Sequence, residues 1–178
     1  MFPVLRQRLR GLVRRAQQRR LTACLAREIT SCSQCGGTLA LVLIACLDAG
    51  TAAGRGSLLD RATDWIANAH PNARVACLRE STVIAVWLPG TTLAQAQQFG
   101  EQLRRPAYAL DPVGEFLSRC ALGIAAWDPG LSAADLLLRA DSALQGALVG
   151  QAPVVIYHDS LPGQRGSGTD LSWEDWSI

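Results

Sequence analysis

Apolar residues follow two patterns along this chain, a helical spacing and short unbroken runs. Near the start they recur at steps of four and three between arginines, which predicts one or two basic amphipathic helices over residues 3 to 29. After a predicted turn at 32 to 37, the apolar run 38 to 47 predicts a buried central strand. We expect a glycine-rich loop at 49 to 57 next, and then a helix that ends near 68 to 71.

The rest of the chain continues to alternate strands and helices. Two apolar runs flank a short polar stretch and predict a β-hairpin over 74 to 88. The later predicted elements are a helix capped by Thr91 or Thr92 and ended by Pro106, a strand at 117 to 127, a helix at 133 to 148 capped by Ser132, and a strand at 154 to 158. This order predicts an α+β fold, an α/β sandwich with a mixed central sheet of about five strands flanked by helices.

The composition fits one main globular domain with charged appendages. The chain has 178 residues, and 49% of them are hydrophobic, enough for a sizeable core. The net charge is +2, but residues 1 to 30 contain eight arginines and one glutamate, so that segment carries +7 and the remainder −5. We therefore expect a basic helical segment at 1 to 30, a domain at 31 to 159 and a polar tail at 160 to 178.

The two terminal segments are candidate contact surfaces for a protein partner, and so is the hairpin surface at Arg79 and Glu80. Three roles compete for the basic segment: a packing or homodimerising stalk, a peripheral contact to acidic lipid, and a nucleic-acid arm. The last is not expected, because the segment has few aromatic residues and no base-reading motif. The tail ends in the acidic aromatic sequence SWEDWSI at 172 to 178, for which a partly ordered tail is the main interpretation and a docking peptide for a protein partner the alternative.

Few residues are available for catalysis. All 17 basic residues are arginines, which excludes mechanisms that need a lysine amine. Cys32 and Cys35 have the spacing of a metal or redox pair, but no second pair or nearby histidine completes a metal site, so no metal is expected. The two histidines, His70 and His158, have no nucleophile in spacing, and a hydrolytic triad is not expected.

The sequence also gives an expectation about location. We expect no secretory leader, and the longest apolar run is shorter than the roughly 18 residues of a membrane span. We therefore expect a cytoplasmic protein with reduced cysteines.

The stretch 122 to 157 contains the most specific pattern in the chain. It has a small-residue strand that includes Gly-Ile-Ala, a loop, a helix of the form Leu-Leu-x-x-Ala-Asp-x-Ala-Leu beginning at Leu136, and a strand. This stretch resembles the closing half of the GGDEF domain, the diguanylate cyclase family. With the strand 39 to 48 and the segment 84 to 104, the resemblance covers about residues 17 to 159, and it implies the fold of that family.

The resemblance also implies that the catalytic residues have been replaced. The signature of two glycines, two acidic residues and an aromatic falls at a hairpin tip, where this chain has Arg79 followed by Glu80, Ser81, Thr82, Val83 and Ile84. The metal-binding aspartate aligns with Ala45, and Asp48 is displaced from the next acidic position. The phosphate-neutralising lysine aligns with Leu148. We therefore expect no catalytic residues, no cofactor and no diguanylate cyclase activity.

Nucleotide binding stays open as an alternative. The family's inhibitory Arg-x-x-Asp motif would fall at Pro71 and Arg74, where it is absent. Arg61 and Asp64 have those letters on a helix, where a surface ion pair is the main interpretation and a ligand site the minor one. A second candidate site would gather four arginines around one end of the hairpin and the next helix: Arg74, Arg79, Arg104 and Arg105.

Together these features predict a function in binding. The leading expectation is an inactive GGDEF-like domain in bacterial cyclic di-GMP signalling, which controls exopolysaccharide, motility or biofilm formation by contacting a protein partner. The first alternative is a receptor that binds cyclic di-GMP or GTP through the arginines. The second is a cyclase that uses displaced carboxylates, Asp48 and Glu80.

Overall fold

The computed structural model describes residues 2–46, 52–78, 83–105, 112–150 and 153–157, and these ranges contain five helices and five strands. In chain order they are α1 (Phe2–Cys35), β1 (Leu39–Cys46), α2 (Ala52–Ala69), β2 (Arg74–Leu78), β3 (Val83–Pro89), α3 (Leu93–Leu103), α4 (Pro112–Ser118), β4 (Cys120–Ala126), α5 (Ala133–Val149) and β5 (Val154–Ile156).

The strands form one mixed sheet in the order β2-β3-β1-β4-β5. β1 lies in the centre and pairs antiparallel with both β3 and β4, and β2 pairs antiparallel with β3. β5 pairs parallel with β4. The predicted fold class, a five-stranded mixed sheet flanked by helices, is confirmed.

Helices cover both faces of the sheet, so the core has two layers. On one face, residues of α2, α3 and α4 pack on β1 side chains such as Val42 and Ile44. On the other, residues of α1 and α5 pack on Leu41, Leu43 and Ala45. Because successive strand side chains point to opposite faces, β1 must be apolar at every position, which explains its unbroken apolar run.

Helix α1 is longer than predicted and continues through the expected turn. Cys32, 7% exposed, packs in the core one turn beyond the last predicted helical position, so burial extends the helix. The helix ends in a Schellman arrangement: Gly36 has a φ of 63°, and the amide of Gly37 donates to the Cys32 carbonyl at 2.8 Å.

Two further boundaries differ from the prediction. α2 begins at Ala52, inside the expected loop, because glycine weakens a helix by about 1 kcal/mol relative to alanine without breaking it. α4 was not predicted, and Leu117 belongs to it and not to the following strand. Its buried residues Val113, Phe116 and Leu117 have a helical spacing.

The helix starts of α3 and α5 follow the predicted caps. Thr92 and Ser132 each accept a hydrogen bond from the backbone amide three residues on, at 3.3 and 3.2 Å, and each forms a complete capping box. Within the described ranges, no helix has the length and apolar character needed to cross a membrane.

Candidate functional site

One end of the sheet is formed by the last residues of β1, the first of β3 and the first of β4. Here Ala45 pairs with Val83 on one side and with Ala121 on the other. All three side chains are apolar, only 3 to 4% exposed, and belong to the core layer under α1 and α5. This end of the sheet is therefore an extension of the core.

Two of these residues stand where the GGDEF resemblance assigns carboxylates. Ala45 aligns with the metal-binding aspartate, and Val83 aligns with the second acidic residue of the hairpin signature. The register makes them direct cross-strand neighbours on the same face. Their hydrocarbon side chains can neither bind a cation nor accept a proton.

Ile84, at the aromatic position of the signature, pairs with Ile44 and is buried in the other core layer. The remaining positions cannot be compared in this way. Arg79, Glu80, Ser81, Thr82 and Asp48 lie outside the described residues, so what was predicted for them stays a prediction. Leu148, at the position of the family's lysine, is half-buried and packs against the core under α1 and α5.

The structure places two of the four candidate arginines far apart. Arg74 begins β2, and its Nε lies 3.7 Å from Glu28 Oε1 on α1. Arg104 caps α3, on the other face of the sheet, and its guanidinium donates a hydrogen bond to the Cys120 carbonyl at the beginning of β4. Because β2 and β4 run in opposite directions, their first residues lie at opposite ends of the sheet. Arg74 and Arg104 therefore do not form one site.

The other described residues predicted to bind a ligand are exposed. Arg105 is exposed directly after α3. Arg61 and Asp64 are exposed on α2, whose buried residues Leu59 and Ala62 face the core instead.

The cysteine pair at the end of α1 consists of free thiols. The Cys32 thiol donates to the Thr38 carbonyl at 3.6 Å, whereas Cys35 is exposed. Burial, together with the nearby Glu28 and Cys35, raises the pKa of the Cys32 thiol, which therefore stays protonated at neutral pH. In the described part of the chain, no group of three or more histidine, cysteine or acidic side chains could hold a metal ion.

A cleft of about 350 Å³ lies at the other end of β3, between α3 and the turn that joins α2 to β2. Sequence reasoning missed it and assigned His70 only to a turn, whereas its imidazole lies against Phe99 in the cleft wall. One signal was available in the sequence. Gln95, Gln98 and Gln102 recur at steps of three and four, so they share one face of α3.

No protein-family model matches the sequence, and neither does the sequence of any curated protein. The fold, however, is similar to that of solved structures. The GGDEF domain of DgcB from Caulobacter crescentus, crystallised in complex with c-di-GMP, superposes with a TM-score of 0.61 at 19% identity, over 75% of this chain and 84% of that one. This chain has the GGDEF fold.

A longer DgcB structure gives the same result. Its coiled coil and GGDEF domain, also in complex with c-di-GMP, superpose with a TM-score of 0.57 at 17% identity, over 85% of this chain and 91% of that one. At these identities the similarity establishes the GGDEF fold, and the chemistry of this chain has to be argued from its own residues.

Proposed function

We propose that this protein is a catalytically inactive GGDEF-like domain that works in bacterial cyclic di-GMP signalling by binding a protein partner. The observation that carries the proposal is the pair Ala45 and Val83, which are buried, apolar and adjacent where the family resemblance assigns two acidic residues. The GGDEF fold itself supports the signalling context.

The loss of these carboxylates bears directly on the chemistry. Transfer of a phosphoryl group between two GTP molecules needs metal ions and cations to offset the charge that develops in the transition state. Removing a single group that stabilises such charge typically costs about 3 kcal/mol, which is more than a hundredfold in rate. Ala45, Val83 and Leu148 would remove several such groups together.

An assay of the full chain with GTP tests the catalytic half of the proposal. Purified protein is incubated with GTP and either Mg²⁺ or Mn²⁺, next to an active diguanylate cyclase as positive control, and products are separated by chromatography. We expect no cyclic di-GMP above the protein-free blank. Product formation would refute the proposal and favour a cyclase that uses the displaced carboxylates Asp48 and Glu80.

The arginine placements favour protein binding over a nucleotide receptor. Arg74 is engaged by Glu28, and Arg104 by a backbone carbonyl on the other face of the sheet. Calorimetric titration with cyclic di-GMP and with GTP is expected to show no saturable heat. Saturable binding that is lost in an Arg104→Ala or Arg105→Ala variant would instead support the receptor alternative.

The partner surface is proposed to lie on the basic segment 1 to 30, the hairpin or the tail at 160 to 178. Affinity capture from a bacterial lysate, followed by reconstitution with the purified partner, tests this part. We expect the charge reversals Arg14→Glu with Arg15→Glu, or the double change Trp173→Ala with Trp176→Ala, to weaken the reconstituted complex. If the protein retains no partner, or if neither pair of changes affects binding, the proposed surfaces are wrong. The controlled output, whether exopolysaccharide, motility or biofilm formation, then follows from the partner's identity.

A further inference from the structure

The cleft between α3 and the α2–β2 turn has the chemistry of a ligand site that is separate from the hairpin end of the sheet. Its volume of about 350 Å³ falls within the range of small-molecule sites. Leu88, near the end of β3, forms part of its lining. Leu88 lies five residues along the strand from Val83, or roughly 17 Å. A ligand bound here would therefore not contact the residues at the opposite end of the sheet.

The polar side chains that line the cleft are all uncharged at neutral pH. Five of them are amides or a hydroxyl: Asn72, Thr91, Gln95, Gln98 and Gln102. The sixth is His70, and burial lowers the pKa of its imidazole, so the neutral form prevails. Among the described residues, no arginine, aspartate or glutamate lines the cleft.

Several of these groups have hydrogen-bonding capacity to spare. In the described part of the chain, the side chains of Asn72, Gln98 and Gln102 make no hydrogen bond to protein. The Gln95 Oε1 accepts from the Thr92 amide at 2.9 Å, which fixes that side chain and leaves its amide donors available. Each primary amide offers donors and an acceptor, so the cleft can match a ligand that carries both.

The walls of the cleft are held in place by packing and by backbone hydrogen bonds. The rings of His70 and Phe99 meet edge to face, with centroids 4.7 Å apart and planes at 78°. Phe99 is only 6% exposed. The amide of Ala73 donates to the His70 carbonyl at 2.8 Å, which closes the turn between them. A preformed wall of this kind lowers the entropy cost of binding.

We infer that this cleft binds a small uncharged ligand rich in hydrogen-bond donors and acceptors, the class that includes neutral nucleosides and sugars. An anionic ligand would lose its hydration without gaining a cation in the lining. At the start of α3, the capping box takes up two of the backbone donors, the amides of Thr92 and Gln95, and so reduces what that end of the helix offers to an anion. A metal cation would find no carboxylate in the lining.

Amide correlation spectra of the full-length protein test this inference. The probes are the four common ribonucleosides, glucose and cellobiose, each titrated into the millimolar range, with inorganic phosphate and GTP as anionic comparisons. We expect at least one neutral probe to shift resonances of the α2–β2 turn and α3 in a saturable way, and the anions to bind more weakly. The nucleoside and sugar arms distinguish the two sources of such a ligand.

Matched variants on α3 separate a site from a non-specific effect. Gln98→Ala and Gln102→Ala remove exposed amides from the cleft and should each weaken binding about tenfold if one hydrogen bond is lost. Gln97→Ala is the control, because Gln97 lies outside the cleft and donates to Glu101 at 2.9 Å. The inference is wrong if no neutral probe gives saturable shifts, if the anions bind as tightly, or if Gln97→Ala weakens binding as much as the cleft variants do.

Discussion

The close approach of α5 to β4 at Gly123 yields a quantitative prediction. A Cβ atom added to Gly123 would lie 2.6 Å from the Leu144 Cα, and closer still to the Leu144 nitrogen and the Ala140 carbonyl oxygen. All three atoms belong to the α5 backbone, so no side-chain rotation relieves the overlap. In the Gly123→Ala variant, α5 must move away from the sheet along a face where Ala140 and Leu144 are fully buried.

The magnitude follows from two opposing effects. Overpacking in a close-packed core costs about 1–3 kcal/mol, and a backbone obstacle places Gly123→Ala near the upper end. Alanine also lowers the conformational entropy of the unfolded chain relative to glycine, which stabilises the folded protein by about 0.4–1 kcal/mol. We therefore expect a net loss of about 2 kcal/mol in the free energy of unfolding, or about 4–8 °C in Tm for a chain of this size.

Urea unfolding followed by circular dichroism and tryptophan fluorescence measures this loss. Gly146→Ala is the matched control on α5, since its added Cβ would meet only the Val155 Cγ1, at 3.5 Å. Because alanine is the better helix former, that variant should gain about 0.5–1 kcal/mol. If Gly123→Ala is as stable as the parent, or if both variants lose stability equally, the close contact between α5 and β4 is not as described.

Three further changes test other parts of the fold. Burial raises the pKa of Asp141 to about 6, above its unfolded value near 3.9, so its contribution to stability is complete below pH 4 and is lost as the pH rises through 6. From pH 4 to 7, we expect the unfolding free energy of the parent to fall by on the order of 2 kcal/mol relative to that of Asp141→Asn. A difference between the two proteins that does not change with pH would contradict this. Val83→Glu should lower the free energy of unfolding by about 3 kcal/mol at pH 7, and part of this loss should be recovered at acidic pH, where the buried carboxyl is protonated. A variant as stable as the parent at pH 7 would show that this position reaches water. Ser132→Ala removes the α5 cap and should lower the free energy of unfolding in urea by about 1 kcal/mol. The control Ser142→Ala, at an exposed position in the middle of α5, should change it by no more than about 0.5 kcal/mol. Equal effects of the two changes would exclude the cap as the cause.

The fold was largely predictable because burial imposes a pattern on the sequence. β1 is apolar at every position since helices cover both faces of the sheet, and the caps at Thr92 and Ser132 are visible as local motifs. The missed helix α4 is only seven residues long and leads into β4 without a turn signal, so its apolar residues merged with the strand pattern. The end of α1 was missed although Gly36 is a local signal for it, because residues 32 to 37 were assigned to a turn and the packing of Cys32 was not visible in the sequence.

The candidate sites were less predictable because they depend on register and strand direction. The family resemblance assigns Ala45 and Val83 to acidic positions, but only the pairing of β1 with β3 makes them neighbours. The predicted arginine site assumed that arginines far apart in the sequence lie close together in the fold. It does not form from Arg74 and Arg104 because the first residues of β2 and β4 lie at opposite ends of the sheet.

The burial of Ala45 and Val83 links stability to the proposed loss of activity. Acidic residues crowded at one end of a sheet repel one another and must stay hydrated or bind cations, which limits the apolar surface that the fold can bury there. Here Ala45, Val83 and Ala121 continue the apolar layer under α1 and α5 to the end of the sheet. Returning carboxylates to positions 45 and 83 would bury charge without returning the glycines of the signature. For this reason we expect such variants to lose stability without gaining cyclase activity.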